Sequence, residues 1–124
     1  RGLLMKPHID GTAFGSITIE GERHERDVII RLNGAVKKRK KKLSKKVYGT
    51  SHTISLDEAE HVYQTGARRL IVGTGQYGQV QLSPKASRFL GDRGCEVELL
   101  PTSDAIKVWN QAEGPLIGLF HVTC

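Results

Sequence analysis

Leu70-Ile71-Val72-Gly73-Thr74-Gly75 is the stretch whose reading decides the fold. Leu70, Ile71 and Val72 leave no polar face, so a strand built from them must be covered on both sides. Such a strand sits centrally in a sheet with helices packed against it. Gly73 and Gly75 are then expected to lead the chain out of the strand through angles other residues resist, exposing amide N–H groups. Open α/β sheets take ligands just beyond strand ends of this kind. The stretch marks a place for a site and names no reaction.

Downstream of it the pattern alternates between helix and strand. Gln79 to Leu82 alternates and predicts a short strand, and Ser83-Pro84 is a helix entry, a cap followed by a residue whose φ is already helical. Ala86, Phe89 and Leu90 give that helix its buried stripe, with Gly94 closing it; Cys95 to Leu100 is the next strand. Pro101-Thr102-Ser103 opens a helix with Ala105, Val108, Trp109 and Ala112 inward, Gly114-Pro115 breaks it, and Leu116 to Val122 is the last strand. Upstream, Ser55 and Glu58 have the spacing of a capping box, and Leu56, Ala59, Val62 and Tyr63 recur at helical spacing before Gly66.

The N-terminal part reads as a three-stranded antiparallel meander: residues 16–20, residues 27–32, and a third strand starting at Ala35-Val36 and running into the lysines. Asn33-Gly34 is the pair favoured in two-residue hairpin turns, where both positions take positive φ. Residues 1–13 are expected to be a loosely tethered lead-in, with Met5 as a native start behind four residues of other origin. Residues 14–124 form a single α/β domain, a mixed β-sheet with helices on its faces. No internal repeat or second domain is visible.

Composition narrows the function classes. The 124 residues are 38% hydrophobic and 26% charged, a balance suited to one globular core. No apolar run approaches the roughly 20 residues of a membrane span, and the N-terminus is too short for a secretory signal, so the cytoplasm is the expected compartment. Cys95 and Cys124 fit neither a disulfide framework nor a C-x-x-C metal site and read as reduced thiols. The net charge is +6, yet eight of the 19 basic residues lie between Lys37 and Lys46. The remaining 11 face 13 acidic residues, so the body of the domain is mildly acidic and the positive charge belongs to one segment. In an extended chain both faces of that segment are charged, which places it at a sheet edge or beyond the sheet.

Each candidate site has a plainer alternative. Gly73 to Gly78 matches G-x-G-x-x-G after a strand, but the next helix start is Ser83, too late for a dinucleotide pyrophosphate to meet its N-terminus. A looser reading makes the Gly73–Gly75 amides and the Thr74 hydroxyl an anion-accepting nest, against a structural tight turn. Thr102 shares a sheet edge with that loop if the two strands are parallel neighbours; together they outline a crevice, against Thr102 or Ser103 as a plain N-cap. Ser51 and His52 invite a nucleophile-and-base story, but no G-x-S-x-G elbow is present, and His52 reads better as a ligand contact. His121 and Cys124, three apart in a strand, point to opposite faces, so no metal site is expected. The basic run lacks interleaved aromatics, which argues against base stacking and sequence-specific nucleic-acid recognition.

Arg39-x-Lys41-x-x-Ser44 followed by Gly49-Thr50-Ser51-His52, then Val72-Gly73-Thr74-Gly75, Pro101-Thr102 with Ala105 and Asn110, and the closing His121-Val122-Thr123-Cys124 together carry a resemblance over nearly the whole chain from Phe14. The chain resembles the small family of uncharacterised domains that includes the adipogenesis-associated protein, archaeal hypothetical proteins and, more distantly, the mitochondrial complex I assembly factor. The basic segment looks like the archaeal branch, with Lys42 standing where relatives tend to carry an acid. The resemblance implies a single three-layer α/β domain, no established enzyme activity and no cofactor; its mitochondrial branch suggests a role in protein assembly.

The expected function is a small binding domain with an anionic-ligand pocket. Gly73, Thr74, Gly75 and Thr102 form its floor, and Arg39, Lys41, Ser51 and His52 its wall. The alternatives are a protein-interaction or assembly module and, third, a hydrolase-like enzyme using His52. The partners expected are a small anion or a protein, with neither nucleic acid nor membrane.

Overall fold

The structure is a computed structural model, and it describes residues 6–124; Met5, read as a start residue, lies outside the described residues. The main sheet has five strands in spatial order β5 (Val36–Lys38), β4 (Val28–Ile30), β10 (Leu116–His121), β7 (Arg69–Thr74) and β9 (Glu96–Leu100). β10, β7 and β9 run parallel, whereas β4 is antiparallel to both β10 and β5, so the sheet is mixed. β7 lies between two parallel strands, as its unbroken apolar run requires.

Period-two alternation sorts the strands' side chains between two cores. Val28 and Ile30, Ile71, Leu116 and Phe120 face one side, where α4 (Thr102–Gln111) lays Ala105, Ile106 and Trp109. Ile29, Leu70, Val72, Ile117 and Leu119 face the other, against Ala59 and Val62 of α2 (Leu56–Val62) and Ala86 and Leu90 of α3 (Pro84–Asp92). Trp109 meets Phe120 edge to face, ring centroids 5.8 Å apart, and its indole N–H donates to Pro7 O at 2.9 Å. Ser83 caps α3 by accepting the Ala86 N–H, with Pro84 as its first residue. Among the described residues no helix is long and apolar enough to cross a membrane.

The N-terminal half contains an antiparallel meander as expected, but its strands are not the ones expected. β2 (Ser16–Ile19) pairs with β1 (Ile9–Ala13) and β3 (Glu22–His24) in a separate antiparallel sheet, while β4 and β5 join the main one. β1 lies inside the segment read as a lead-in; Ile9 is buried in the α4-side core, and the Asn110 side chain bonds both Ile9 N and Ile9 O. The sequence pattern locates β2, β4 and β5 but not which sheet each joins, because each inward face suits either; it does not mark β1 and β3 as strands. The Asn33-Gly34 turn has positive φ at Gly34 alone. Asn33 instead accepts the Ala35 N–H on its side chain, and Arg31 O accepts the Gly34 N–H, so the loop is one residue longer than a two-residue hairpin.

The lysine run keeps its edge position only as far as β5. Lys42–Tyr48 then form helix α1, ended by Gly49 at φ 72°, where a polar loop was expected from Val47. Thr53–Ile54 form β6, pairing in parallel with β8 (Gln81–Leu82), and α2 stops at Val62 rather than near Gly66. Gly73 also differs. It stays within β7, and the reason for a glycine is space: an added Cβ would lie 2.9 Å from both Phe120 Cδ1 and Thr102 Oγ1.

Candidate functional site

Charged residues gather inside the domain at the end of the sheet where β7 and β10 finish. Asp27 lies just before β4, which runs against β10, so its carboxylate reaches that same end. Asp27 is buried; its Oδ1 accepts the Val122 N–H at 2.9 Å and its Oδ2 is 2.7 Å from His121 Nδ1. Arg39 is the second member. Expected on the solvated edge, it is only 2% exposed. Its Nε and Nη2 donate to the two oxygens of Glu58 at 2.6 and 3.1 Å, its Nη1 to Asp27 at 2.9 Å, and Nη2 again to Ser51 O at 2.7 Å.

Glu58 explains this inward turn. The sequence places it in a capping box, and half of that box exists: Ser55 Oγ accepts the Glu58 N–H at 3.1 Å. The other half is redirected, because the Glu58 carboxylate is taken by Arg39 and by the Ser44 hydroxyl at 2.5 Å. Ser44 Oγ in turn accepts the Ser55 N–H at 2.9 Å, the donor that Glu58 would otherwise have satisfied. Buried charge in this cluster is therefore paired at every member, the condition under which burial is tolerated.

Burial alone would raise the Asp27 pKa. The His121 hydrogen bond and charge, the Val122 amide and the Arg39 guanidinium overcome that and hold it at about 2, below its ordinary 3.8. Burial likewise pulls Arg39 down, but the bonds and charges of Glu58 and Asp27 raise it above its ordinary range. Since the folded state depresses the Asp27 pKa, its contribution is complete above pH 4 and is lost as pH falls towards 2. Urea titrations are expected to lose about 2 kcal/mol between pH 5 and pH 2 from this group. A flat stability across that window would contradict the depressed value.

The sequence-predicted residues meet at this end in a different arrangement. Thr102, buried at the start of α4, accepts the Gly75 N–H at 2.9 Å and donates to His121 O at 2.6 Å. β7 and β9 are parallel neighbours, the condition for Thr102 to stand beside the glycine loop, and its side chain is fully buried against Gly75 and His121. It is the first residue of α4 and not its N-cap, the capping position being Pro101. Four of the glycine loop's donors are also committed: Gln76 N–H to Thr123 O, Gly78 N–H to Gly75 O, Gln79 N–H to Cys124 O and Val80 N–H to Thr74 O. Thr74 is buried. Ser51 contributes its backbone carbonyl to Arg39, and Lys41 Nζ stands 3.7 Å from Asp27.

His52 is turned away from any Ser51 partnership. Its Nε2 lies 3.6 Å from Cys124 Sγ, and its ring meets that of His121 edge on, centroids 5.4 Å apart. Burial first, then the charges of His121, Arg39 and Lys41, push the His52 pKa down. The expected divergence of His121 and Cys124 is overturned. β10 ends at His121, so alternation stops there, and the donor atoms of His52, His121 and Cys124 all lie within 4.8 Å of one another.

Asp27 and His121 were missed by sequence reasoning. The signal available was a histidine closing the apolar run Leu116–Phe120, a costly residue to bury without a partner. Outside the buried cluster lies a cleft of about 470 Å³ lined by Arg26, Asp27 and residues 38–42. Arg26, Lys38, Lys40 and Lys42 are exposed there.

Solved structures share this architecture. A conserved hypothetical protein, PH1505 from Pyrococcus horikoshii OT3, is 31% identical with a TM-score of 0.85, over 94% of this chain and 98% of that one. A structure described as MT938 is 29% identical with a TM-score of 0.80, over 96% and 100%. A Bordetella pertussis protein described as a Mth938-like domain shares the fold at 17% identity and a TM-score of 0.64, over 94% and 85%. Residues 9–114 match the family described as Protein of unknown function (DUF498/DUF598), and the chain belongs to that family.

Proposed function

We propose that the domain binds a small anionic ligand, a phosphate or carboxylate compound, in the cleft lined by Arg26 and residues 38–42. The observation that carries this reading is the concentration of Arg26, Lys38, Lys40, Lys41 and Lys42 around about 470 Å³. Arg39 and Asp27 neutralise one another beneath it, so the outer lysines supply the net field. Charge-assisted hydrogen bonds from ammonium groups suit a phosphate or carboxylate oxygen. Two other clefts, of about 560 and 540 Å³, mix cations with Glu113 and with Asp57 and lack that bias. The cleft suits a small anion in the cytoplasm better than nucleic acid, since it has no aromatic platform for bases.

Thermal shift at low ionic strength tests the proposal with orthophosphate, pyrophosphate and citrate as probes. A probe at about 100 times its Kd is expected to stabilise by about 2.7 kcal/mol, a shift of several degrees. The Lys40→Glu/Lys42→Glu variant, altered at exposed positions, is expected to lose the shift. A shift that survives both reversals would remove the cleft from the reading.

The competing reading, a protein-interaction or assembly-factor module of the kind the mitochondrial branch of the resemblance suggests, draws on Phe14 and Tyr77. They are 62% and 72% exposed with ring centroids 6.5 Å apart. It gains if no anion shifts the melting temperature.

A further inference from the structure

We propose that His52, His121 and Cys124 form a binding site for a single divalent ion of the zinc class, with Asp27 as the carboxylate behind His121. The inference is independent of the anion cleft and rests on the convergence of three donor side chains from separate segments. His52 comes from the loop before β6, His121 from the end of β10, and Cys124 from the segment beyond it. Their ligating atoms lie within 4.8 Å of one another. An ion with Zn–N near 2.0 Å and Zn–S near 2.3 Å in tetrahedral geometry separates its N and S donors by about 3.5 Å. His52 Nε2 and Cys124 Sγ stand 3.6 Å apart, so this pair already spans the required edge.

The surroundings select the tautomer. Asp27 Oδ2, 2.7 Å from His121 Nδ1, accepts that ring's N–H and leaves Nε2 for the ion. This carboxylate–histidine relay is what orients metal-bound imidazoles. His121 Nε2 is 3.2 Å from the Thr123 hydroxyl, a hydrogen bond that the ion would replace. The backbone is fixed on both sides. Cys124 O accepts the Gln79 N–H, Thr123 O the Gln76 N–H, and His52 O the Gln81 N–H. The backbone is therefore held, and what remains on binding is for the side chains to close from within 4.8 Å to ligand distance. The nearby cations Arg39 and Lys41 oppose a dication, but Asp27, Glu58 and the thiolate balance them.

Binding forms the Zn–S bond as the Cys124 thiol proton leaves to solvent, while each imidazole gives a ring-nitrogen lone pair. Two nitrogens and one sulfur suit zinc rather than magnesium or calcium. His52 and Cys124 are part-exposed, so a fourth position faces outward for water or an exchangeable ligand, as at sites with three protein donors.

Titration of the reduced, chelator-stripped protein with Co²⁺ tests this. One ion per chain, tetrahedral d–d bands and a sulfur-to-cobalt charge-transfer band are expected, all abolished by Zn²⁺ displacement. Cys124→Ser is expected to lose the charge-transfer band. His52→Ala is expected to weaken affinity by at least the ~100-fold that loss of an outer partner can cost. Cys95→Ser, whose thiol is buried elsewhere, is expected to change neither. A wild-type titration without the charge-transfer band, or a band that Cys124→Ser retains, overturns the site. X-ray absorption of the zinc-loaded wild type decides independently of how the variants fold: one sulfur near 2.3 Å supports it, and an all-oxygen shell refutes it.

Discussion

Arg39→Met is expected to destabilise the domain by about 3–5 kcal/mol, the cost of removing one member of a buried ion network and leaving its partners unpaired. The side chain is fully enclosed, and its loss strands the Glu58 carboxylate, at 0% exposure, with the Ser44 hydroxyl as its remaining side-chain donor. Asp27 keeps His121 and the Val122 amide, so most of the penalty falls on Glu58. Ser51 O also loses the donor that ties its loop to β5. Against a typical total of about 5–15 kcal/mol, this loss moves the denaturation midpoint far or prevents folding. The Arg39→Met/Glu58→Gln pair is expected to recover part of it, because the stranded charge is gone. A single-variant loss under about 1 kcal/mol would mean the guanidinium is solvated rather than enclosed.

That expectation also changes what Arg39 can tell about ligands. Four of the five guanidinium N–H donors of Arg39 already serve Glu58, Asp27 and Ser51 O, and its removal perturbs folding before binding. The exposed Lys40 and Lys42 are the informative positions for the cleft.

The difference between Arg39 and its neighbours sets the boundary of what the sequence discloses. Leu70-Ile71-Val72 could be placed in mid-sheet because three adjacent aliphatics exclude a wet face, and Ile71 and Val72 are indeed 0% exposed. Ser83-Pro84 could be placed at a helix start because both residues act locally. Arg39 depends on Asp27 and Glu58, 12 and 19 residues away, and no local pattern announces that pairing. The legible clue was its being the single arginine among lysines: a guanidinium fork fits a carboxylate in two-point contact where an ammonium cannot. Cys124 was misplaced for a related reason. Alternation predicts facing only while the strand continues, and β10 stops at His121, after which hydrogen bonds from the glycine loop turn the chain.

Gly75→Ala is expected to cost about 3 kcal/mol, combining backbone strain with a collision that cannot relax. Gly75 has φ +107°, a conformation L side chains rarely adopt, and an added Cβ would lie 2.6 Å from Cys124 C and 2.8 Å from His121 Cδ2. Cys124 cannot simply retreat. Its carbonyl accepts the Gln79 N–H, and the preceding Thr123 carbonyl accepts the Gln76 N–H, so moving the chain breaks the bonds that seat it on the loop. Gly78→Ala is the matched control: Gly78 also has positive φ, at +70°, but its added Cβ would meet the Thr74 hydroxyl at an ordinary 3.6 Å. It is expected to show the strain alone, about 1–2 kcal/mol. Urea denaturation of the pair at constant m reads the difference as steric overlap. The same substitution moves Cys124 off His52, so its thiol is expected to react faster with an aromatic disulfide reagent in Gly75→Ala than in Gly78→Ala. Equal stability and equal thiol reactivity in the two variants would mean that the segment after β10 does not pack on the glycine loop. In that case the meeting of Cys124 with His52 and His121 would lose its geometric cause.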